Sequence, residues 1–153
     1  MSQTDLLEAF RLIDQNEDLA DFEGPKPAAL VRKAEEALGV TLPASYRQFL
    51  ERYGCGDIAG VELYGLIGSD FENSSVPDAI WLTLREREDS ALPEQFVIVH
   101  MEADGTYCVL DCSAEGPDHP VLARPPGASP DDELPVLAED YSVFLRDRLA
   151  EAL

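Results

Sequence analysis

The sequence predicts an α+β fold: a single domain in which helices flank a mainly antiparallel sheet. Apolar residues recur at helical spacing in the first third of the chain, β-branched runs and a turn signal dominate the middle, and helical spacing returns at the carboxyl end. The 153 residues fit one domain of ordinary size, and 45% of them are hydrophobic, which is enough for a full core. We therefore expect residues 1–153 to form one domain.

The first predicted helix has its apolar side chains between positions 6 and 13. Thr4 or Asp5 is suited to cap its start, because a short oxygen-bearing side chain accepts hydrogen bonds from free backbone N–H groups. Residues 16–27 then break the helical pattern with two prolines and a glycine, which predicts a loop.

A second helix is predicted from about residue 28 to 38, followed by Gly39, where a left-handed cap is expected. Pro43 suits the first turn of a third helix, which has spare backbone donors. Apolar residues then recur with helical spacing over 46–53, and Gly54 ends that helix.

The periodicity changes after the third helix. Residues 61–67 are apolar with rough alternation and predict a strand, whereas residues 77–86 favour a helix. Trp81 lies on that helix and is the best candidate for an exposed partner anchor, although Trp is more often buried.

A hairpin is predicted next. Residues 96–99 form a short β-branched run typical of a buried strand, and Asp104 followed by Gly105 is a turn signal. Residues 106–110 are then the returning strand, and residues 120–123 a further member of the sheet.

The rest of the chain predicts an acidic, proline-rich loop at about 125–135 and a last helix at about 139–152. The loop contains four prolines and three successive acids, and too little chain follows it to fold alone. We therefore interpret it as an irregular loop within the domain.

The charge is strongly negative. Eleven Lys and Arg residues face 31 Asp and Glu residues, a net charge of −20, and residues 53–145 hold 19 acids against three bases. Nucleic acid and anionic membranes are poor ligands for such a chain, because they require clustered Lys and Arg. A basic protein is the better electrostatic match, although the acid is also explained by solubility alone.

The residues that carry chemistry are few. His100 and His119 are the two histidines, and no nucleophile elbow, phosphate-binding glycine loop or calcium-loop spacing is present. Cys55, Cys108 and Cys112 lack the spacing of a zinc site and are too few for a disulfide framework. We expect no enzyme, metal or cofactor, and no apolar leader or span is evident, so the expected location is the cytoplasm.

One block of sequence resembles the opening signature of the SUKH superfamily: a helix with a Glu, then Leu-Gly, then Leu-Pro-x-x-Tyr-x-x-Phe-Leu, then a glycine cluster and a strand. The residues that fill this pattern are Glu35, Leu38, Gly39, Leu42, Pro43, Tyr46, Phe49, Leu50, Gly54 and Gly56. The signature region covers about 28–66, and later matches extend the resemblance to the carboxyl end. Cys55 departs from the usual Gly-Gly, and the loop at 125–135 has no fixed counterpart.

The resemblance implies a binding protein without a cofactor. Bacterial members of the superfamily are largely immunity proteins that neutralise polymorphic toxins, often nucleases, and fungal members act as regulatory scaffolds in cell-wall synthesis. Neutralisation of a basic nuclease would benefit from negative charge. A general interaction module of the same fold and a carboxylate-rich metal-binding protein remain alternatives.

Charge and position near strand ends and turns select six candidate partner-binding residues. They are Asp57, Glu62, Asp70, Glu72, Glu102 and Asp104. The oligomeric state and the identity of the partner do not follow from the sequence.

Overall fold

Five α-helices and seven β-strands make up residues 2–113 and 119–153, the part of the chain that the computed structural model describes. The helices are α1 (Ser2–Asp14), α2 (Ala28–Leu38), α3 (Ala44–Tyr53), α4 (Ala79–Asp89) and α5 (Tyr141–Ala152), with one 3-10 turn at Glu17–Leu19. The strands are β1 (Ala20–Phe22), β2 (Gly56–Ile58), β3 (Val61–Leu63), β4 (Phe96–Met101), β5 (Tyr107–Asp111), β6 (Val121–Arg124) and β7 (Val136–Ala138). The α+β prediction is confirmed.

The strands form two antiparallel sheets. Strands β1, β2 and β3 make the smaller sheet, and strands β4 to β7 make the larger one, each in chain order. The register of β4 shifts between Ile98 and His100, and the carbonyl of Val99 there accepts a hydrogen bond from Tyr64 N at 3.1 Å. This bond joins the chain just after β3 to the larger sheet.

Aromatic side chains fill the core where α3 and α5 meet. Tyr46 and Tyr141 are fully buried and contact edge to face, with ring centroids 4.8 Å apart, and Phe49 and Phe144 extend the cluster. The Tyr46 hydroxyl donates to the carbonyl of Tyr64 at 2.9 Å. The buried hydroxyl is therefore hydrogen-bonded, and this bond joins α3 to the segment that follows β3.

The five predicted helices are present, with corrections at their ends. The helix predicted at 77–86 runs from Ala79 to Asp89, and the helix predicted from about 139 begins at Tyr141. Helix α2 has the predicted bounds, and α3 begins one residue after Pro43, which is its N-cap residue. Helix α1 already begins at Ser2, so Thr4 and Asp5 lie inside the helix and the prediction that one of them caps it was wrong.

The strand predictions miss three of the four strands that have only three residues. Strand β1 lies within the predicted loop at 16–27, and β2 and β7 were not predicted. The predicted strand at 61–67 ends at Leu63, because Gly65 instead forms an isolated bridge with Asp78. The acidic loop at 125–135 lies between β6 and β7, as predicted.

Within the described residues, the helices are too short or too polar to cross a bilayer. Residues 114–118 lie outside the described part of the chain.

Candidate functional site

The predicted signature residues build the turn between α2 and α3. Gly39 ends α2 in the left-handed region, at a φ of 70°, and Leu38 and Leu42 are buried on either side of it. The carboxylate of Glu35 accepts a hydrogen bond from the backbone N–H of Leu42 at 2.7 Å. The glutamate of the signature therefore closes the turn that places α3.

The glycines of the signature allow chain segments to approach closely. Gly56 has a φ of 154°, and a Cβ there would overlap the carbonyl of Asp21 on β1. Gly54 has a φ of 75°, and a Cβ there would lie 2.8 Å from the carbonyl of Gly24. The space beside both glycines is thus occupied by this chain itself, which favours a structural role over contact with a partner.

Two of the predicted partner-binding residues face each other on the smaller sheet. Asp57 on β2 pairs with Glu62 on β3, and on its other side Asp57 pairs with Asp21 on β1. Directly opposed residues of antiparallel strands point to the same face of the sheet. These three carboxylates, hereafter the acidic row, therefore form one line across the strands.

A cleft of about 210 Å³ lies along the acidic row. Its lining includes all three residues of the row together with Glu23 and the backbone of Gly56. Of these four acids, Glu23 alone forms an ion pair within the described residues: Lys26 Nζ lies 3.2 Å from its carboxylate and also donates to the carbonyl of Ile67. The acidic row itself carries no ion pair within the described residues.

Glu102 lies in a neighbouring cleft of about 380 Å³ that Glu62 also lines. Its carboxylate forms an ion pair with Arg148 on α5 and accepts a hydrogen bond from Cys108 Sγ at 3.3 Å. Glu102 is therefore already paired inside the protein, unlike Asp57 and Glu62.

His100 lines the same cleft and is almost fully buried. Its Nδ1 lies 2.6 Å from the carbonyl of Glu62. A carbonyl only accepts hydrogen bonds, so Nδ1 carries the proton and donates. The histidine thereby fastens β4 to β3, which is a structural use of the side chain.

The other three predicted residues lie elsewhere. Asp70 accepts the backbone N–H groups of Glu72 and Asn73 at 3.2 and 3.1 Å and so shapes the loop before α4. Asp104 accepts the N–H of Thr106 at 2.9 Å in the β4–β5 turn, and this bond lowers the pKa of the Asp104 carboxyl. Glu62 therefore shares one cleft with Asp57 and a second cleft with Glu102, whereas Asp70, Glu72 and Asp104 line neither cleft.

Trp81 is half-buried on the outer side of α4. With Phe71 and Leu84 it lines a groove of about 460 Å³, whose charged residues are Glu72, Arg85, Arg87 and Glu88. The guanidinium of Arg85 lies 5.5 Å from the centre of the Trp81 ring. The groove is apolar with a rim of balanced charge.

The three cysteines are free thiols of low reactivity. Burial raises the pKa of Cys55, Cys108 and Cys112 to about 12, so each is a neutral thiol at pH 7. Among the side chains in residues 2–113 and 119–153, no group of three or more His, Cys, Asp or Glu is placed to hold a metal ion.

Sequence reasoning missed Asp21, although it is one third of the acidic row. The chain around it was interpreted as a loop, because a strand of three residues shows hardly any alternation. The sequence does contain one indication of a strand, because the apolar residues Ala20 and Phe22 alternate with the acid between them. In the structure both are half-buried and Asp21 is exposed.

A comparison with protein families supports the resemblance seen in the signature. The SUKH_6 family model, described as SMI1-KNR4 cell-wall, matches residues 28–145. The matched stretch runs from the start of α2 into α5 and includes β2 to β7.

Proposed function

Because the chain belongs to the SUKH_6 family, we propose that it is an immunity protein that neutralises a bacterial toxin by binding it directly. The observation that carries this proposal beyond the family is the acidic row of Asp21, Asp57 and Glu62. The protein acts in this proposal as a binder and catalyses no reaction.

The acidic row favours a cationic partner. Like charges directly opposed across strands destabilise a sheet, so the acidic row lowers the stability of the free protein. A partner that places Lys or Arg side chains along the cleft would remove that repulsion on binding. The surrounding surplus of acid, 19 acids against three bases over residues 53–145, would also speed the encounter.

A nuclease toxin is the partner class that fits this charge best. Enzymes that cut nucleic acids hold phosphates with clustered Lys and Arg, so their active surface is positive. An acidic binding protein that covers such a surface competes with the substrate for the same cations. The cleft of about 210 Å³ is wide enough to receive a side chain from the partner.

The chemistry of the site supports a binding role. Burial raises the pKa of each thiol to about 12, so the cysteines offer no activated nucleophile. The alternative that the family description favours is a regulatory interaction module related to cell-wall synthesis.

The test is capture of the partner at graded salt, followed by a toxicity assay. The tagged protein is used as bait in extracts at low and high salt, and the captured proteins are identified by mass spectrometry. The captured domain is then expressed with and without the protein. We expect a basic domain whose toxicity the protein suppresses and whose capture weakens as salt rises.

A matched pair of variants locates the contact. The double variant Asp57→Asn, Glu62→Gln should weaken binding about tenfold, whereas Glu36→Gln, an exposed acid on α2, should leave it unchanged. Capture of a housekeeping assembly with no toxic member would favour the regulatory module instead. Unchanged affinity of the double variant would remove the acidic row from the contact.

A further inference from the structure

The outer edge of β7 is a second surface that the proposed function leaves unused. Strand β7 is the last strand of the larger sheet, with β6 on one side. Val136 and Leu137 are 65% and 40% exposed, although both are large apolar residues. A terminal strand presents unpaired backbone groups, to which an extended chain can add by strand pairing.

Within the described part of the chain, the backbone of Val136 on β7 has no hydrogen-bond partner on that edge. Val136 lies opposite Leu122, and the hydrogen bond beside this pair runs from Ala123 N to the carbonyl of Pro135, at 2.9 Å. In an antiparallel ladder the bonding direction alternates from residue to residue. The N–H and carbonyl of Val136 therefore point away from β6, toward the open edge.

The charges on either side of the edge indicate what kind of chain fits it. Three exposed acids, Asp131, Asp132 and Glu133, precede the strand, and exposed Glu139 follows it. The sequence from position 125 to 145 contains no Lys or Arg. A segment that pairs with β7 thus meets apolar side chains in the centre and negative charge at both ends.

The same charges argue against a second copy of this chain. Two copies paired edge to edge would bring their acidic loops together, and each copy carries a net charge of −20. Such a dimer would gain the contacts of Val136 and Leu137 but would have to overcome like-charge repulsion. A basic segment gains the same apolar contacts and adds attraction.

From this geometry we infer that the β7 edge binds an extended basic segment of a partner protein, which adds to the larger sheet as a fifth strand beside β7. The apolar side chains of the segment contact Val136 and Leu137, and its Lys or Arg side chains lie near Asp131 to Glu133 and near Glu139. The inference does not depend on toxin neutralisation, because this edge and the acidic row lie on different sheets.

The probe for the test, hereafter the Lys-Val peptide, is a synthetic peptide of ten residues with four Val in the centre and three Lys at each end. Two comparison peptides separate strand pairing from charge attraction. One has Pro in place of Val, which keeps the positive charge but blocks strand pairing. The other has Glu in place of Lys, which reverses the charge. Binding is followed by backbone amide shifts in ¹⁵N-labelled protein. We expect saturable shifts at 136–139 and along β6 with the Lys-Val peptide and much weaker binding of both comparison peptides.

Variants then test the edge directly. Val136→Asp and Leu137→Asp should each weaken binding of the Lys-Val peptide about tenfold, since they place a charge in the apolar centre of the contact. Leu19→Asp is the matched control, because Leu19 is 50% exposed beside the terminal strand of the other sheet. The Leu19→Asp variant should bind the peptide as tightly as the unchanged protein. Far-UV circular dichroism checks that all three variants fold.

Three results would overturn the inference. One is equal binding of the Lys-Pro peptide, which would show attraction by charge without strand pairing. Another is a set of shifts confined to β1, β2 and β3, which would place the peptide on the acidic row. The third is a dimer in sedimentation experiments that Leu137→Asp dissociates, which would assign the edge to a second copy.

Discussion

Glu35 connects the end of α2 to the start of α3 through one hydrogen bond. Its side chain is partly buried, and its carboxylate accepts the N–H of Leu42, seven residues along the chain, at 2.7 Å. The turn between the two helices would otherwise leave that N–H without a partner near buried Leu42. The bond therefore helps to fix the angle at which α3 enters the core.

Replacing Glu35 should destabilise the protein more than replacing its neighbour. Glu35→Ala removes the acceptor and should lower the free energy of unfolding by about 1–2 kcal/mol. Glu35→Gln keeps an oxygen acceptor and should cost less, and exposed Glu36→Ala on the same helix is the control. Urea unfolding measures all three, and equal losses for Glu35→Ala and Glu36→Ala would contradict the assigned role.

At this scale the sequence indicated which residues matter but not what they touch. The resemblance singled out Glu35, Gly54 and Gly56, and helical periodicity placed Tyr46 and Phe49 in the core. The partners of Glu35, Gly54 and Gly56, which are Leu42 N–H and the carbonyls of Gly24 and Asp21, lie on other segments. Their contacts depend on how those segments pack, which no local pattern encodes.

Helix α4 begins where it does because of Asp78. This side chain accepts hydrogen bonds from the N–H groups of Ile80 and Trp81 at 2.9 and 3.0 Å, as an N-cap residue does. Burial of the Asp78 side chain raises the pKa of its carboxyl above the ordinary value. The Asp78 cap therefore stabilises the helix, but it also keeps the negative charge of the carboxylate out of water, which is unfavourable.

Two substitutions of Asp78 separate the cap from the charge. Asp78→Ala should lower the free energy of unfolding by about 1–2 kcal/mol at pH 7, because the helix loses its cap. Asp78→Asn keeps the acceptor oxygen and removes the buried charge, so it should be far less harmful or even stabilising. The measurement is urea unfolding of both variants beside the unchanged protein.

The sign of the pH dependence follows from the raised pKa. The folded protein holds the Asp78 proton more tightly than the unfolded chain, so this carboxyl makes stability fall as pH rises from the unfolded pKa through the folded one. Relative to the unchanged protein, Asp78→Asn should therefore gain stability between pH 4 and pH 7. A difference that stays flat over this range, or shrinks as pH rises, would contradict the assignment.

Long elements were predictable from the sequence, whereas three of the four three-residue strands were not. Helices α2 and α3 and strands β4 to β6 each contain a full period of their pattern and were placed within two residues. Strands β1, β2 and β7 hold three residues each, so their identity depends on a partner strand elsewhere in the chain. Because β1 was not predicted, Asp21 was not among the predicted site residues.

The whole molecule carries a large surplus of negative charge. The acidic row places three carboxylates side by side on one sheet of a chain whose net charge is −20. Charge and position near strand ends and turns placed two members of the row, Asp57 and Glu62, among the predicted site residues. It did not predict their alignment, because that depends on the register of β1 against β2 and of β2 against β3.

The acidic row should stabilise a complex at the expense of the free protein. Asp57→Asn with Glu62→Gln should raise the unfolding temperature at low salt, by about 2–4 °C if repulsion near 1 kcal/mol is removed. The gain should shrink at high salt, where exposed charges are screened. Glu36→Gln is the control, and scanning calorimetry at two salt concentrations is the measurement. A double variant less stable than the control at low salt would contradict the repulsion.

The buried thiols give each sheet its own reporter of transient opening. Cys55 directly precedes β2 in the smaller sheet, Cys108 lies within β5 of the larger one, and neither side chain is exposed. A thiol reagent can modify either residue only when its surroundings open, so the labelling rate of each measures the free energy of that opening. Equal rates would mean that both sheets open in one cooperative event, and unequal rates would show which sheet opens first.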